Sequence, residues 1–261
     1  MLDDTQIGRR TVMKGLAGAS FAAVLADPIL ARAAASETET VTLTLSSGKT
    51  VSAALALPET LPAPTVMLIH EWWGLNDQIK ATAREYAANG YVALAIDLMD
   101  GSVATTPDEA RAQMQAVDGA DATETCTAWM DWLRAHEAGT GTLATVGWCF
   151  GGGWSLNASL AAPADATVIY YGRLVQEAEP LKALKGPVLG HFATQDGFIN
   201  AEMVGGFEAA MAEAGKADSL TVHWYEADHA FANPSGGRYD EEDARLSWSR
   251  TLAFLAQHLK A

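Results

Sequence analysis

The chain is poor in cysteine. Cys126 and Cys149 are its only two in 261 residues, which cannot build the disulfide framework that staples a small secreted domain. No four-ligand set of cysteine and histidine has zinc-site spacing. His70-Glu71-Trp72-Trp73-Gly74 opens like a zinc-protease helix, but Gly74 stands where the second histidine belongs. No P-loop and no Gly-x-Gly-x-x-Gly is present, so neither a metal nor a nucleotide cofactor is expected. Positive charge is scarce as well: 17 Lys and Arg stand against 32 Asp and Glu, a formal charge of −15. No basic cluster suits nucleic acid. The longest apolar stretches are too short for a membrane span.

What remains is a globular composition. Hydrophobic residues make up 49% and charged residues 19%, enough apolar material for one large core. The N-terminus stands apart. Arg9-Arg10-Thr11-Val12-Met13-Lys14 is a twin-arginine pattern, followed by the apolar small-residue stretch Gly15 to Ala26. Ala31 and Ala33 then occupy the small positions of an A-x-A cleavage signal. Residues 1–33 are therefore expected to be a twin-arginine-type signal peptide handled by the twin-arginine export machinery. Residues 34–261 would be a single domain in the periplasm or outside the cell. A frayed basic helix on a cytoplasmic protein is the alternative reading.

Beyond residue 40 the hydrophobic period switches repeatedly between strand and helix. Val41 to Leu45 and Thr50 to Leu57 alternate around Ser46-Ser47-Gly48-Lys49 and predict a hairpin. Strands are expected at Thr65 to His70, Tyr91 to Ile96, Leu143 to Trp148, Thr167 to Tyr171, Pro187 to Ala193 and Leu220 to Tyr225. A helix over Asp77 to Asn89 stops at Gly90. Thr106-Pro107-Asp108-Glu109 is a capping box with proline at the first helical position. Cys126 falls in a helical stretch and reads as core. Met203, Phe207 and Met211 mark one helix face, and a last helix from about Asp240 carries Trp248, Leu252, Leu255 and Leu259 inward. Alternating strands and helices imply an α/β fold, a mainly parallel sheet covered on both faces with an antiparallel N-terminal hairpin.

The chemistry concentrates at Gly147-Trp148-Cys149-Phe150-Gly151-Gly152. A strand, a tight turn and a helix with a nucleophile at the apex form the elbow of α/β-hydrolases, here with cysteine where serine is usual. The glycines two positions either side of Cys149 admit the sharp turn. The Phe150 amide at the helix start can donate to an oxyanion, and the helix dipole there favours a thiolate. A buried structural cysteine beside a glycine-rich turn is the bland alternative. A thiol nucleophile needs a base and an orienting acid, in the chain order nucleophile, acid, histidine. Asp196 and His229 each follow an expected strand and satisfy that order. His70 and Asp97 precede the nucleophile, and Asp97 reads as structural. His191 and His223 lie inside strands, and His136 ends a helix. Asp228 is too close to His229 to orient its ring. Glu71 also follows a strand, and the amide of Trp72 lies in the loop that supplies a second oxyanion donor. Trp72, Trp73, Trp148 and Trp154 flank the site in sequence and can wall an apolar pocket.

The chain resembles the dienelactone hydrolase family, the carboxymethylenebutenolidases. The resemblance rests on His70 to Asn76, Gly90-Tyr91-Val92-Ala93 running into Asp97-Leu98, the Cys149 elbow, Tyr170-Tyr171-Gly172, Gln195-Asp196, and His223-Trp224-Tyr225 through His229-Ala230-Phe231. It implies an α/β-hydrolase that opens cyclic enol esters, with Cys149, Asp196 and His229 as the triad. It implies Glu71 as the carboxylate touching the resting thiol, and the Trp72 and Phe150 amides as the oxyanion hole. Trp73, Trp148, Tyr171 and Arg111 are the expected substrate contacts. One departure concerns the substrate: Asn233 stands where family members acting on dienelactone carry an arginine. Arg238 and Arg173 are the substitutes at hand. A small ester or lactone is the expected substrate. A ligand-binding protein on a hydrolase scaffold, and a thiol acyltransferase or peptidase, are the other readings.

Overall fold

The computed structural model describes residues 21–260; the twin-arginine pattern lies outside them. Among the described residues, eight strands form one sheet in the order β1-β2-β4-β3-β5-β6-β7-β8. They are β1 (Glu39–Thr44), β2 (Thr50–Ala56), β3 (Ala63–Ile69), β4 (Val92–Ile96), β5 (Gly139–Trp148), β6 (Ala166–Tyr170), β7 (Val188–Ala193) and β8 (Leu220–Tyr225). Strands β1 and β2 pair antiparallel with each other, and β2 pairs antiparallel with β4. Every pairing from β4 through β8 is parallel. The hairpin turns at Gly48, whose φ of +85° suits glycine. This is the mainly parallel sheet with an antiparallel N-terminal hairpin expected from the strand–helix alternation, and the α/β-hydrolase arrangement that the resemblance implies.

The helices are α1 (Phe21–Ala26), α2 (Pro28–Ala35), α3 (Asp77–Ala88), α4 (Pro107–Ala116), α5 (Gly119–Ala135), α6 (Phe150–Ala161), the short α7 (Ala178–Leu181), α8 (Ala201–Glu213) and α9 (Glu241–Leu259). Asn76 caps α3, and Thr106 with Glu109 closes the expected capping box on α4. No helix among the described residues is long and apolar enough to cross a membrane. Asp27 and Pro28, which interrupt the apolar N-terminal stretch, form the N-cap and first residue of α2. Leu25, Ala31 and Ala34 then pack with Ala81 of α3.

Burial explains why the parallel strands read as unbroken apolar runs. In β3, Val66 and Leu68 face the core that contains Tyr86 and Leu255, while Met67 and Ile69 face the core that contains Trp129 and Leu133. Burying each such side chain is worth about 1.5–3 kcal/mol. Cys126 is fully buried in the second core, as a packing residue. A third cluster packs Leu156 of α6, Phe192 and Phe207 together.

Two helix faces depart from the apolar pattern. The buried row of α9 is Ser247, Thr251, Leu255 and Leu259, with Trp248 and Leu252 only half-buried. Thr251 is tolerated inside because its hydroxyl bonds both Tyr170 and His191, at 2.7 and 3.0 Å. The elbow helix α6 likewise buries Ser155 and Ser159. Their hydroxyls join Thr145 and Thr167 at 2.7–2.9 Å. Small residues let this helix lie close against the sheet, and satisfied hydroxyls remove the cost of polar burial.

Candidate active site

Four strands end at one edge of the sheet and deliver the site. Cys149 follows β5, Glu71 follows β3, Asp196 follows β7 and His229 follows β8. In the register of the central pair, Ile69 stands beside Gly147. Glu71 and Cys149, each two residues further on, therefore leave the sheet side by side.

Cys149 has φ +54° and ψ −116°, a conformation that costs a non-glycine residue about 1–3 kcal/mol. Close packing holds it there. A Cβ on Gly147 would lie 1.9 Å from the Gly151 carbonyl oxygen, and one on Gly151 would lie 2.1 Å from the Ile69 carbonyl oxygen. Only glycine fits either position.

The Cys149 Sγ lies 3.1 Å from His229 Nε2. On the other side of the ring, Nδ1 lies 2.6 Å from Asp196 Oδ2. A carboxylate can only accept, so the ring proton sits on Nδ1 and Nε2 is free to take the proton of the thiol. Asp196 Oδ1 is filled by the Phe198 and Ile199 amides at 2.7 and 3.0 Å. Burial raises the Asp196 pKa, but the His229 bond and these amides outweigh it and the net shift is downward. Asp228 accepts from the backbone of His229, at 2.6 Å, and so holds the loop and not the ring. Ala230, at φ +65°, turns the chain directly after the histidine.

The thiolate expected from the helix dipole does not describe the resting site. Burial first, and then the Glu71 charge, push the Cys149 thiol up to about 12; the Phe150 amide acts in the opposite sense but loses. Glu71 is itself buried, and its carboxyl is raised by desolvation against the lowering effect of Asn233 and His229. Its Oε2 accepts from Asn233 Nδ2 at 2.5 Å. Its Oε1 and the hydroxyl of Tyr171, both buried, make no hydrogen bond of ordinary geometry.

Two of the expected aromatic contacts, Tyr171 and Trp148, lie here. The Tyr171 ring lies 5.2 Å from that of His229, and Trp148 stacks on Tyr170 at 5.5 Å. Glu71, Trp148, Tyr171 and Asn233 share a cavity of about 240 Å³ with Ile79 and Trp248. Trp73 packs edge-on against Trp72, in the loop after β3. Trp154 packs near Phe150 and against the core beneath α6, the ordinary helix-to-sheet role. Arg111 is not brought to the cluster. It lies exposed on α4 and pairs with Asp108 at 3.3 Å. Arg238 acts on both Glu71 and Cys149 through space, lowering each.

A family model described as the dienelactone hydrolase family matches residues 51–259. The chain belongs to the dienelactone hydrolase family. It is accordingly a carboxylic ester hydrolase. A Saccharolobus solfataricus protein provisionally named a carboxymethylenebutenolidase is 31% identical over 247 residues, 80% of this chain and 95% of that one. A carboxymethylenebutenolidase of Pseudomonas putida is 29% identical, over 84% of this chain and 96% of that one. A crystal structure of a Klebsiella pneumoniae protein, provisionally named a dienelactone hydrolase, matches 84% of this chain and 99% of its own with a TM-score of 0.75 and 27% identity.

Within this dienelactone hydrolase family member, three side chains near the cluster carry no local sequence signal of their role. Asn233 meets Glu71 from 162 positions away. Gln113 of α4 donates to the Trp72 carbonyl at 2.6 Å. His70 holds the Glu71 carbonyl through Nδ1 at 2.6 Å. Only the folded sheet juxtaposes the first two pairs.

Proposed function

We propose that this hydrolase cleaves a small ester or lactone through a thioester intermediate on Cys149. The observation that carries the reading is the line Cys149 Sγ, His229, Asp196, at 3.1 and 2.6 Å. The thiol gives its proton to His229 Nε2 as sulfur attacks the carbonyl carbon. Asp196 stabilises the imidazolium that forms. The Trp72 and Phe150 amides receive the oxyanion. Collapse re-forms the carbonyl and breaks the bond from the acyl carbon to the alkoxy oxygen, and His229 gives its proton to the departing alkoxide. A water then gives a proton to His229 and attacks the thioester; the acid leaves and sulfur regains its proton. Because the thiol is protonated at rest, sulfur becomes nucleophilic only as the imidazole accepts its proton.

Replacing the nucleophile tests this directly. Cys149→Ala is expected to lose about 10³-fold or more in kcat on a chromogenic acyl ester and on an unsaturated lactone. Turnover at the wild-type rate in a folded Cys149→Ala protein overturns the thiol mechanism. We propose also that the chain leaves the cytoplasm by the twin-arginine route, on the strength of Arg9-Arg10 and the Ala31-Arg32-Ala33 segment.

A further inference from the structure

We propose that His70 is a positioning residue of this site: its imidazole locks the peptide whose N–H, at Trp72, is turned toward the reacting carbonyl. The inference rests on the oxyanion hole proposed above. His70 is wholly buried at the end of β3. Its Nε2 lies 3.1 Å from the backbone nitrogen of Leu98. That amide can only donate, so Nε2 is the bare nitrogen and the ring proton resides on Nδ1. Nδ1–H then donates to the Glu71 carbonyl oxygen at 2.6 Å. The tautomer is thus fixed by two backbone groups from different segments.

The geometry of the peptide does the rest. In a trans peptide the C=O and the following N–H point in opposite directions. Holding the Glu71 oxygen inward on the ring therefore turns the Trp72 N–H outward. The Trp72 N–H has no acceptor of its own in the described structure. Besides His70, the Glu71 oxygen receives only the Gly74 amide, at 3.3 Å. Without the imidazole, only the longer Gly74 bond resists rotation of this peptide, which would set a carbonyl oxygen where the oxyanion must form. The following peptide is pinned separately, by Gln113 on the Trp72 oxygen.

His70 also touches the other half of the hole. The Phe150 ring stacks on the imidazole, with centroids 5.9 Å apart and planes at 16°. The peptide N–H of Phe150 is the second proposed donor. Asp97 lies 3.9 Å from Nε2, but its oxygens accept from Met99 and Gly101, so it shapes the turn after β4 and leaves the ring to Leu98. The imidazole is a neutral bracket between two strand ends and exchanges no proton during turnover.

Glutamine offers the same acceptor and donor on one flat amide; leucine offers neither. His70→Leu is expected to lower kcat about 10²-fold or more, the scale for losing an oxyanion donor, with KM within about threefold of wild type. Alkylation of Cys149 by iodoacetamide forms no oxyanion, and its rate is expected to stay within about twofold. His70→Gln is expected to retain kcat within about tenfold of wild type. If His70→Leu does not fold, His70→Asn, too short to span both partners, takes its place. Unchanged kcat in His70→Leu overturns the proposal. So does an equal fall in alkylation rate, or a folded His70→Gln as slow as His70→Leu. Full activity in Cys149→Ala would instead remove the thiol mechanism, whatever His70 does.

Discussion

The Glu71 charge opposes ionisation of Cys149. Glu71 is buried, and its charge raises the thiol of the half-buried Cys149. Burial holds the carboxyl above its usual range, so it ionises late, and once ionised it opposes the thiolate. Glu71→Gln fixes this position neutral. Above the pH at which Glu71 titrates, the variant's Cys149 is expected to react with iodoacetamide about threefold faster than wild type, because removing the charge raises the thiolate fraction more than it lowers the nucleophilicity of the sulfur. Below that pH the two rates converge. Rate profiles from pH 5 to 9 check this, and superimposable profiles would show that the carboxylate has no hold on the sulfur. At this scale the convergence of Cys149, Asp196 and His229 is legible in the sequence because each follows an apolar run that must be a buried strand. The protonation of Cys149 is not legible. A helix start after a cysteine is visible in the sequence, and the resemblance sets Glu71 beside the thiol, whereas the desolvation that raises the sulfur most appears only after folding.

Elements were legible where period and punctuation agree. The capping box at Thr106, the stop at Gly90 and the hairpin at Gly48 are local chemistry, and the structure realises all three. The inner face of α9 was legible in part: Trp248 and Leu252 pack half-buried against the core that holds Leu255 and Leu259, but the structure also inserts Ser247 and Thr251, which hydrophobicity does not pick. A hydroxyl joins a core only if distant partners await it, and Tyr170 and His191 lie 81 and 60 positions away. The N-terminal elements pose a different question. Leu25 of α1 lines the cavity beside Glu71, and α2 carries both Ala31 and Ala33. If residues 1–33 are removed on export, that wall of the cavity is removed with them. Replacing both Arg9 and Arg10 by lysine is expected to leave uncleaved precursor in the cytoplasm. Cell fractionation and the mass of the product check this; mature protein at wild-type level in the periplasm would refute the export route.

Across the whole molecule, the sheet order converts distant sequence positions into one site, and it also buries two imidazoles that bear on stability. His191 of β7 is fully buried, its nitrogens 2.7 Å from the Tyr225 hydroxyl and 3.0 Å from that of Thr251. Burial, with His223 and Arg250 adding positive charge nearby, drives its pKa well below 6.5. Burial lowers His70 in the same way, against the raising effects of the Glu71 carbonyl and Asp97. The unfolded chain takes up these protons near pH 6.5 and the folded chain does not. The stabilisation from keeping both rings neutral is therefore complete above that pH and lost as pH falls through it, by up to about 1.4 kcal/mol per pH unit for each ring. Asp196, with its lowered pKa, adds a loss of the same sign at lower pH. Glu71, raised, contributes oppositely: its stabilisation is present in acid and declines as pH rises. Glu85 and Asp243 are raised likewise, but the unfolded values of all three carboxyls lie below pH 5, whereas that of the two imidazoles, near 6.5, is crossed between pH 6.5 and 5.5. The urea midpoint is expected to fall across this interval with little change in m, so the loss reads as stability and not as a change in exposed surface. His191→Gln, which keeps hydrogen-bonding groups but cannot titrate, is expected to flatten the fall by up to one proton's worth. A His191→Gln protein whose midpoint drops as steeply as wild type would place the acid sensitivity elsewhere in the fold.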